Sequence, residues 1–388
     1  MKALVFERKL AKYAAAAVAG RFVPGMGASV GPISLQDVDE PELPAAGWVR
    51  VRTRLSGICG SDLATIDAKS SRYFEPIVSF PFTPGHEVVG DLDDGTRVAL
   101  IPILTCVTRG ITPVCAHCAA DQPNLCERIA FGHLEPGLQT GFCESTGGGW
   151  GIAFVAHESQ LVSVPDDLSD EDAVLIEPTA CAINAIGMTP PGDTAIIGAG
   201  TVGLLTLAAA RLNSGLRNIV VAAKHPAQVA WAKELGATQV VPPKELPAAV
   251  RARTHSLIAG GQLTGGYDNV IDCIGSDDSI AQALSIVAPR GEVLLVGMPG
   301  PETKVDLTPL WHRQVRLSGA YAYTRAHFDM AIELVRELKL GRLVTASYPL
   351  SRYRDAIDHA ANAGARGAVK IAFDLRNEKE RRLPERAK

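Results

Sequence analysis

Ala195-Ile196-Ile197-Gly198-Ala199-Gly200-Thr201-Val202-Gly203 is the stretch on which the fold depends. Three apolar residues give way to a glycine-rich turn, and the turn opens onto a run that predicts a helix through Arg211. A lone G-x-G-x-x-G match is weak, but a strand before it and a helix behind it are the context a dinucleotide-binding turn requires. Glycines at Gly198, Gly200 and Gly203 permit a tight turn and let the backbone, with Thr201 and Val202, approach a pyrophosphate on the helix N-terminus. The plainer alternative is an ordinary strand-to-helix turn.

Downstream the texture stays regular. Ile219-Val220-Val221 reads as a second strand, with a helix ending at Leu235-Gly236 behind it. Val270-Ile271-Asp272 leads into a helix through Val287, and Glu292-Val293-Leu294-Leu295-Val296 reads as a further strand. Near-continuous apolar strands alternating with helices predict a parallel sheet covered on both faces. Between Pro242 and Gly266 the pattern weakens to a helix and a loose loop around Gly260-Gly261. A helix over Phe328–Leu338 and short strands follow. The tail from Arg376 to Lys388, almost wholly charged, reads as solvated.

Upstream the reading changes. From Met1 to about Asp166, short strands such as Trp48-Val49-Arg50-Val51-Arg52 and Arg97-Val98-Ala99-Leu100 are cut by Gly and Pro, which predicts an all-β unit. Met1–Phe6 reads as its first strand, and Glu7, Arg8, Lys9 and Lys12 argue against a signal sequence at Ala14–Ala19. At 388 residues the chain has room for two cores. A net charge of −4 leaves no basic footprint for nucleic acid, and no apolar run approaches the ~20 residues that span a bilayer. A cytoplasmic protein is expected.

The residues that bear chemistry fall into three groups. Gly57-Ile58-Cys59-Gly60-Ser61-Asp62 packs a thiol, a hydroxyl and a carboxylate together, and Gly85-His86-Glu87 adds an imidazole and a second carboxylate. A catalytic zinc takes three protein ligands and keeps a position open. Cys59 and His86 are candidates for two, and Glu177 in Leu175-Ile176-Glu177-Pro178 for the third. Cys181, four residues on along the same helical face, is an alternative. The second group is Cys115-x2-Cys118-x7-Cys126 with Cys106 upstream; four thiolates around one metal make a closed structural site. A redox pair at Cys115 and Cys118, or plain buried thiols, are the alternatives, while Cys273 reads as an inert strand residue and Cys143 stays unassigned. The third group lies about twenty residues beyond Gly203. An NAD site keeps an acidic residue there for the ribose hydroxyls, but this chain has Ala223, Lys224 and His225. A missing carboxylate and an added cation favour NADP over NAD.

Taken in order, these motifs resemble the zinc-dependent medium-chain dehydrogenase/reductase family of the alcohol and polyol dehydrogenase kind, over nearly the whole chain. The resemblance implies an α/β protein: a GroES-like β-barrel catalytic domain over 1–178 and 322–388, with a zinc lobe at about 102–130, and a Rossmann domain over 179–321. It implies that Cys59, His86 and Glu177 hold a catalytic zinc, and that Cys106, Cys115, Cys118 and Cys126 hold a structural one. Asp62 then orients His86, Glu87 stands close behind the metal, and Ser61 hydrogen-bonds the substrate oxygen and starts a proton relay. The implied activity moves a hydride between an alcohol, polyol or sugar-like, and a nicotinamide cofactor in a homodimer or homotetramer. Two other readings are a zinc-free quinone or enone reductase on the same scaffold and a non-catalytic nucleotide-sensing protein.

The chain departs from the family pattern in three places. Eight residues separate Cys106 from Cys115 where two are usual, although closure entropy grows slowly with loop length. Ala64 stands where the relay often ends in histidine. Gly147-Gly148-Gly149-Trp150-Gly151 interrupts the strand region and is expected as a flexible loop bordering the substrate cleft.

Overall fold

The computed structural model describes residues 1–298, 300 and 302–378. The chain divides into two compact units, Met1–Glu177 with Thr324–Lys388, and Pro178–Tyr323. The boundary falls within the helix Ile176–Met188.

In Pro178–Tyr323 six strands form one parallel sheet in the spatial order Gln239–Val241, Leu216–Ala222, Gly192–Ile197, Tyr267–Asp272, Val287–Leu295, Arg316–Gly319. Numbered along the chain this is 3-2-1-4-5-6, the doubly wound order whose reversal opens a crevice at the carboxyl ends of the first and fourth strands. Ala195, Ile197, Val220, Val270 and Val293 from the strands pack on Leu246, Val250, Ile280 and Leu284 from the helices, so the apolar runs are buried by helical cover. The stretch expected to be loose after the helix Leu246–Thr254 closes instead into a small hairpin, Ile258–Ala259 with Gln262–Leu263, turning on the positive-φ pair Gly260 and Gly261.

The other unit is built on a seven-stranded sheet. Trp48–Gly57, its longest strand, pairs with Lys370–Asp374, Val88–Asp91 and Ala153–His157. Lys2–Phe6 and Ile33–Asp37 form a separate antiparallel pair. The all-β expectation for this region needs correction. A 13-residue helix, Leu10–Phe22, separates those first two strands, because an alanine-rich run has the highest helix propensity of any composition. Behind it Gly25 and Gly27 donate their N–H groups to the buried Asp67 carboxylate at 2.9 and 3.1 Å, which ties the insertion to the end of the helix Gly60–Ile66.

The returning C-terminal segment enters this unit as a strand, with Ala372 opposite Gly57. Arg376, expected to be solvated, is engaged instead. Its guanidinium donates to Asp374 at 2.7 Å, Glu171 at 3.1 Å and Asp170 at 3.3 Å. The rest of the charged tail, 379–388, lies outside the described residues.

Candidate active site

The strand Trp48–Gly57 ends two residues before Cys59, and Cys59 is the N-cap of the helix Gly60–Ile66. Asp62, in the first turn, folds its carboxylate back to accept the Cys59 N–H at 2.9 Å, satisfying one of the amide groups that a helix start leaves unpaired. Its other oxygen faces His86 Nδ1 at 3.5 Å, with both side chains buried. The Cys59 side chain is a further neighbour that favours the charged form of the His86 ring. One carboxylate therefore addresses both the backbone of Cys59 and the ring of His86. Fixing one ring nitrogen fixes which nitrogen remains for a ligand.

The electrostatics of this cluster favour a cation. Burial by itself pushes the His86 pKa down, yet the Asp62 carboxylate and Cys59 outweigh it and hold the pKa well above its usual value. A field that favours an imidazolium favours a metal ion in the same place, and thiolate with imidazole is a donor set that suits zinc. Ser61 lies half-buried on the same first turn, two residues from Cys59, and Ala64 is half-buried one turn on. Glu177 is buried at the start of Ile176–Met188. It is not gathered with Cys59 and His86: among the described residues, the one group of three or more potential ligands whose ligand atoms all lie within 4.8 Å is the cysteine lobe. Cys181 is half-buried on the same helix as Glu177.

Glu87 adjoins this cluster and is buried against Lys370, with which it forms a close ion pair. The Lys370 ammonium also donates to the Ile58 carbonyl at 3.1 Å. Burial lowers the pKa of this lysine, but the charges of Glu87 and Cys59 raise it further, so the ammonium persists. Lys370 escaped the sequence reading. Its signal was a lone cation inside the apolar run Ala368-Val369-Lys370-Ile371-Ala372-Phe373.

Cys106, Cys115, Cys118 and Cys126 converge as their spacing predicts. Cys106 Sγ lies 3.7 Å from Cys126 Sγ, and Cys115 Sγ lies 4.0 Å from it. Four sulfurs at the Zn–S bond length of 2.3 Å around a tetrahedral centre would stand about 3.8 Å apart, so the lobe fits zinc. The long Cys106–Cys115 segment closes locally. Cys106 accepts the Ile111 N–H on its carbonyl and the Cys115 N–H on its sulfur, at 2.9 and 3.3 Å. Within it the buried Arg109 donates to the carbonyls of Phe131, Leu134, Glu135 and Gly137, fastening the segment that follows the lobe. Backbone N–H groups of Cys118 and Glu127 hold the Cys115 pKa down to about 6.

In the other unit Gly198 follows the first strand at φ +96°, and Gly200 caps the helix Thr201–Ala209. A Cβ on Gly203 would lie 1.9 Å from the Gly198 carbonyl, so helix and turn meet only through glycine. A Cβ on Gly200 would meet nothing within 4 Å, and the first turn carries neither an acidic residue nor a side-chain cap. Open space at a helix N-terminus is what a pyrophosphate needs. After the second strand, Ala223 is buried and Lys224 is exposed, with no ion pair among the described residues. Gln228, which the sequence reading passed over, accepts the N–H groups of both Lys224 and His225 at 3.3 Å and sets the course of that loop. Cys273 lies just beyond its strand rather than in it, and burial pushes its thiol up to about 12.

Two family models match the chain: an alcohol dehydrogenase GroES-like domain over residues 45–166 and a zinc-binding dehydrogenase over 201–337. The L-idonate 5-dehydrogenase of Vitis vinifera is 28% identical over 86% of this chain and 90% of its own length. The sorbitol dehydrogenase of Arabidopsis thaliana is 28% identical with the same coverage. Among solved structures, a zinc-binding dehydrogenase of Sinorhizobium meliloti bound to NADP superposes with a TM-score of 0.70 at 25% identity, covering 90% of this chain and 97% of that one.

Proposed function

The chain belongs to the zinc-dependent medium-chain dehydrogenase/reductase family, and from that premise we propose that it interconverts a polyol or sugar-like alcohol and its carbonyl compound with NADP as the preferred hydride carrier. That it is an oxidoreductase acting between an alcohol and a nicotinamide cofactor follows from the family. The polyol class is supported by what the relatives are, and the NADP preference by Lys224 and by the absence of an acidic residue beside it. The observation that carries the catalytic reading is the buried Asp62, which holds Cys59 and faces His86.

In this reading Cys59 and His86 would hold the catalytic zinc, with Glu177 as the candidate third ligand. The metal supplies Lewis acidity that stabilises negative charge on the substrate oxygen. Ser61 accepts the hydroxyl proton at its Oγ. Ser61 would give up its own hydroxyl proton in exchange, and with Ala64 in the usual histidine place no imidazole stands there to take it on, so it would pass to water. Asp62 keeps His86 in one tautomer, and Lys370 holds Glu87 and the Ile58 carbonyl so that Cys59 enters its helix from a fixed strand end. Cys106, Cys115, Cys118 and Cys126 would hold the structural zinc. The Gly198–Gly203 turn would seat the pyrophosphate, and Lys224 with His225 would receive a 2′-phosphate.

The test is a spectrophotometric screen of polyols, sugar acids and aromatic alcohols with both nicotinamide cofactors. Turnover of polyols at higher kcat/KM with NADP than with NAD is expected. A zinc-loaded enzyme that turned over none of them would refute the substrate class.

A further inference from the structure

Gly147–Gly151, expected as a flexible loop, is neither loose nor at the surface: Gly148, Gly149, Trp150 and Gly151 are all buried. Trp150 is wholly enclosed, in edge-to-face contact with Phe373 at 5.0 Å. Its indole Nε1 donates to the Gly57 carbonyl at 3.3 Å, two residues before Cys59. Its own N–H donates to the Pro84 carbonyl at 2.9 Å, and the Gly149 N–H donates to the Gly85 carbonyl at 2.9 Å, immediately before His86. The fit is close enough to dictate glycine around it. A Cβ on Gly85, where φ is +99°, would lie 2.4 Å from Trp150 Cδ1, and one on Gly148 would lie 2.1 Å from the Thr83 carbonyl.

We propose that Trp150 is a positioning residue for the catalytic metal, a single side chain and its backbone fixing the segment that ends in Cys59 against the segment that ends in His86. Cys59 and His86 come from different strands' ends, so their separation is set by whatever joins those ends. Lys370 joins them at Ile58 and Glu87; Trp150 joins them further back along each segment, at Gly57 through its indole and at Pro84 through its own N–H, and the neighbouring Gly149 N–H adds Gly85. Gly148 lets the backbone lie against the Thr83 and Pro84 carbonyls at a distance that a side chain would forbid, and Gly149 does the same against Val88 and Ser56. The inference rests on Cys59 and His86 holding the catalytic zinc.

Trp150→Phe removes the indole N–H and some volume. Benzothienyl-alanine at position 150 removes the N–H and keeps the shape. A buried hydrogen bond of this kind changes an equilibrium by about tenfold. In both proteins zinc should leave the Cys59–His86 site for a chelator about tenfold faster than in wild type, while release from the cysteine lobe is unchanged. The absorption of cobalt placed at that site should shift, and kcat should fall with KM for the cofactor unmoved. If Trp150→Phe does not accumulate folded, the shape-preserving analogue decides. Release rates and cobalt spectra at wild-type values in the analogue protein would overturn the proposal. Cys59→Ser separates this from failure of the underlying reading: loss of one zinc of two keeps the ligand assignment, whereas loss of none sinks the assignment and the inference together.

Discussion

Lys224 and Lys370 are lysines in opposite circumstances, and their surroundings decide what each does. Lys224 is exposed on a loop whose backbone is held by Gln228, so its loss should cost little structure. A hydrogen bond to a charged group contributes about 1.5–3 kcal/mol, which is roughly ten- to a hundredfold in affinity. Lys224→Ala should therefore weaken NADPH by that factor and leave NADH nearly untouched, as read from dissociation constants by fluorescence titration. A ratio unmoved by the substitution would make Lys224 a solvated lysine and nothing more. Ala223→Asp is a poorer probe, because Ala223 is buried and a new carboxylate there meets the core before it meets a ribose. Lys370 is enclosed with Glu87. Removing one partner of a buried pair strands the other charge and costs roughly 3–5 kcal/mol, while removing both costs much less. Lys370→Met should lower the melting temperature sharply, and adding Glu87→Gln should recover part of the loss. A double variant less stable than Lys370→Met would show that the ion pair is not what stabilises this corner.

At the scale of elements, the sequence was most legible where one pattern had one physical cause. The strand-turn-helix at Ile196–Gly203 announces itself because only glycine tolerates both the φ of Gly198 and the 1.9 Å approach at Gly203. The meeting of the four thiols was legible too, because Cys115, Cys118 and Cys126 stand close together in the chain. What could not be read was how distant segments fit. Trp150 looked like part of a glycine-rich loop because its partners, Gly57 and Pro84, lie 93 and 66 residues away in sequence. Glu177 could be named from its proline neighbour, but no local pattern fixes where its side chain lies. The Leu10–Phe22 helix was missed because strand signals on both sides outweighed alanine propensity within it. The lobe yields its own prediction. Structural zinc binding in small peptides is worth about 10–16 kcal/mol, much of it folding free energy. Cys118→Ala should thus leave one zinc per chain and a lower melting temperature, while the kcat of the folded fraction stays near wild type. Two zincs with an unchanged melting temperature would exclude the four-cysteine site.

For the molecule as a whole, the fold of Met1–Glu177 is completed by residues nearly two hundred positions further on. Lys370–Asp374 pairs with the strand leading to Cys59, and Arg376 then joins Asp374 to Asp170 and Glu171, with Arg54 and Arg97 converging on Asp170 at 2.8 and 3.1 Å. Burial alone would raise the Asp374 pKa, but its hydrogen bonds with Arg376 outweigh this and hold it below the usual carboxylate range. A carboxyl group whose pKa is depressed on folding lends stability that is present above its unfolded value, about 3.9, and is lost as pH falls through the folded value. Arg376→Ala removes the cause of the depression. The variant should be less stable than wild type at neutral pH by a constant amount, and the two should converge as pH falls through the depressed value, where Asp374 is protonated in both. Acid unfolding should begin at higher pH in Arg376→Ala, followed by the fluorescence of the buried Trp48 and Trp150. Superimposable acid transitions would mean that the C-terminal strand is held by its backbone pairing to Leu55–Gly57 and that the Arg376–Asp374 pair adds nothing to its stability.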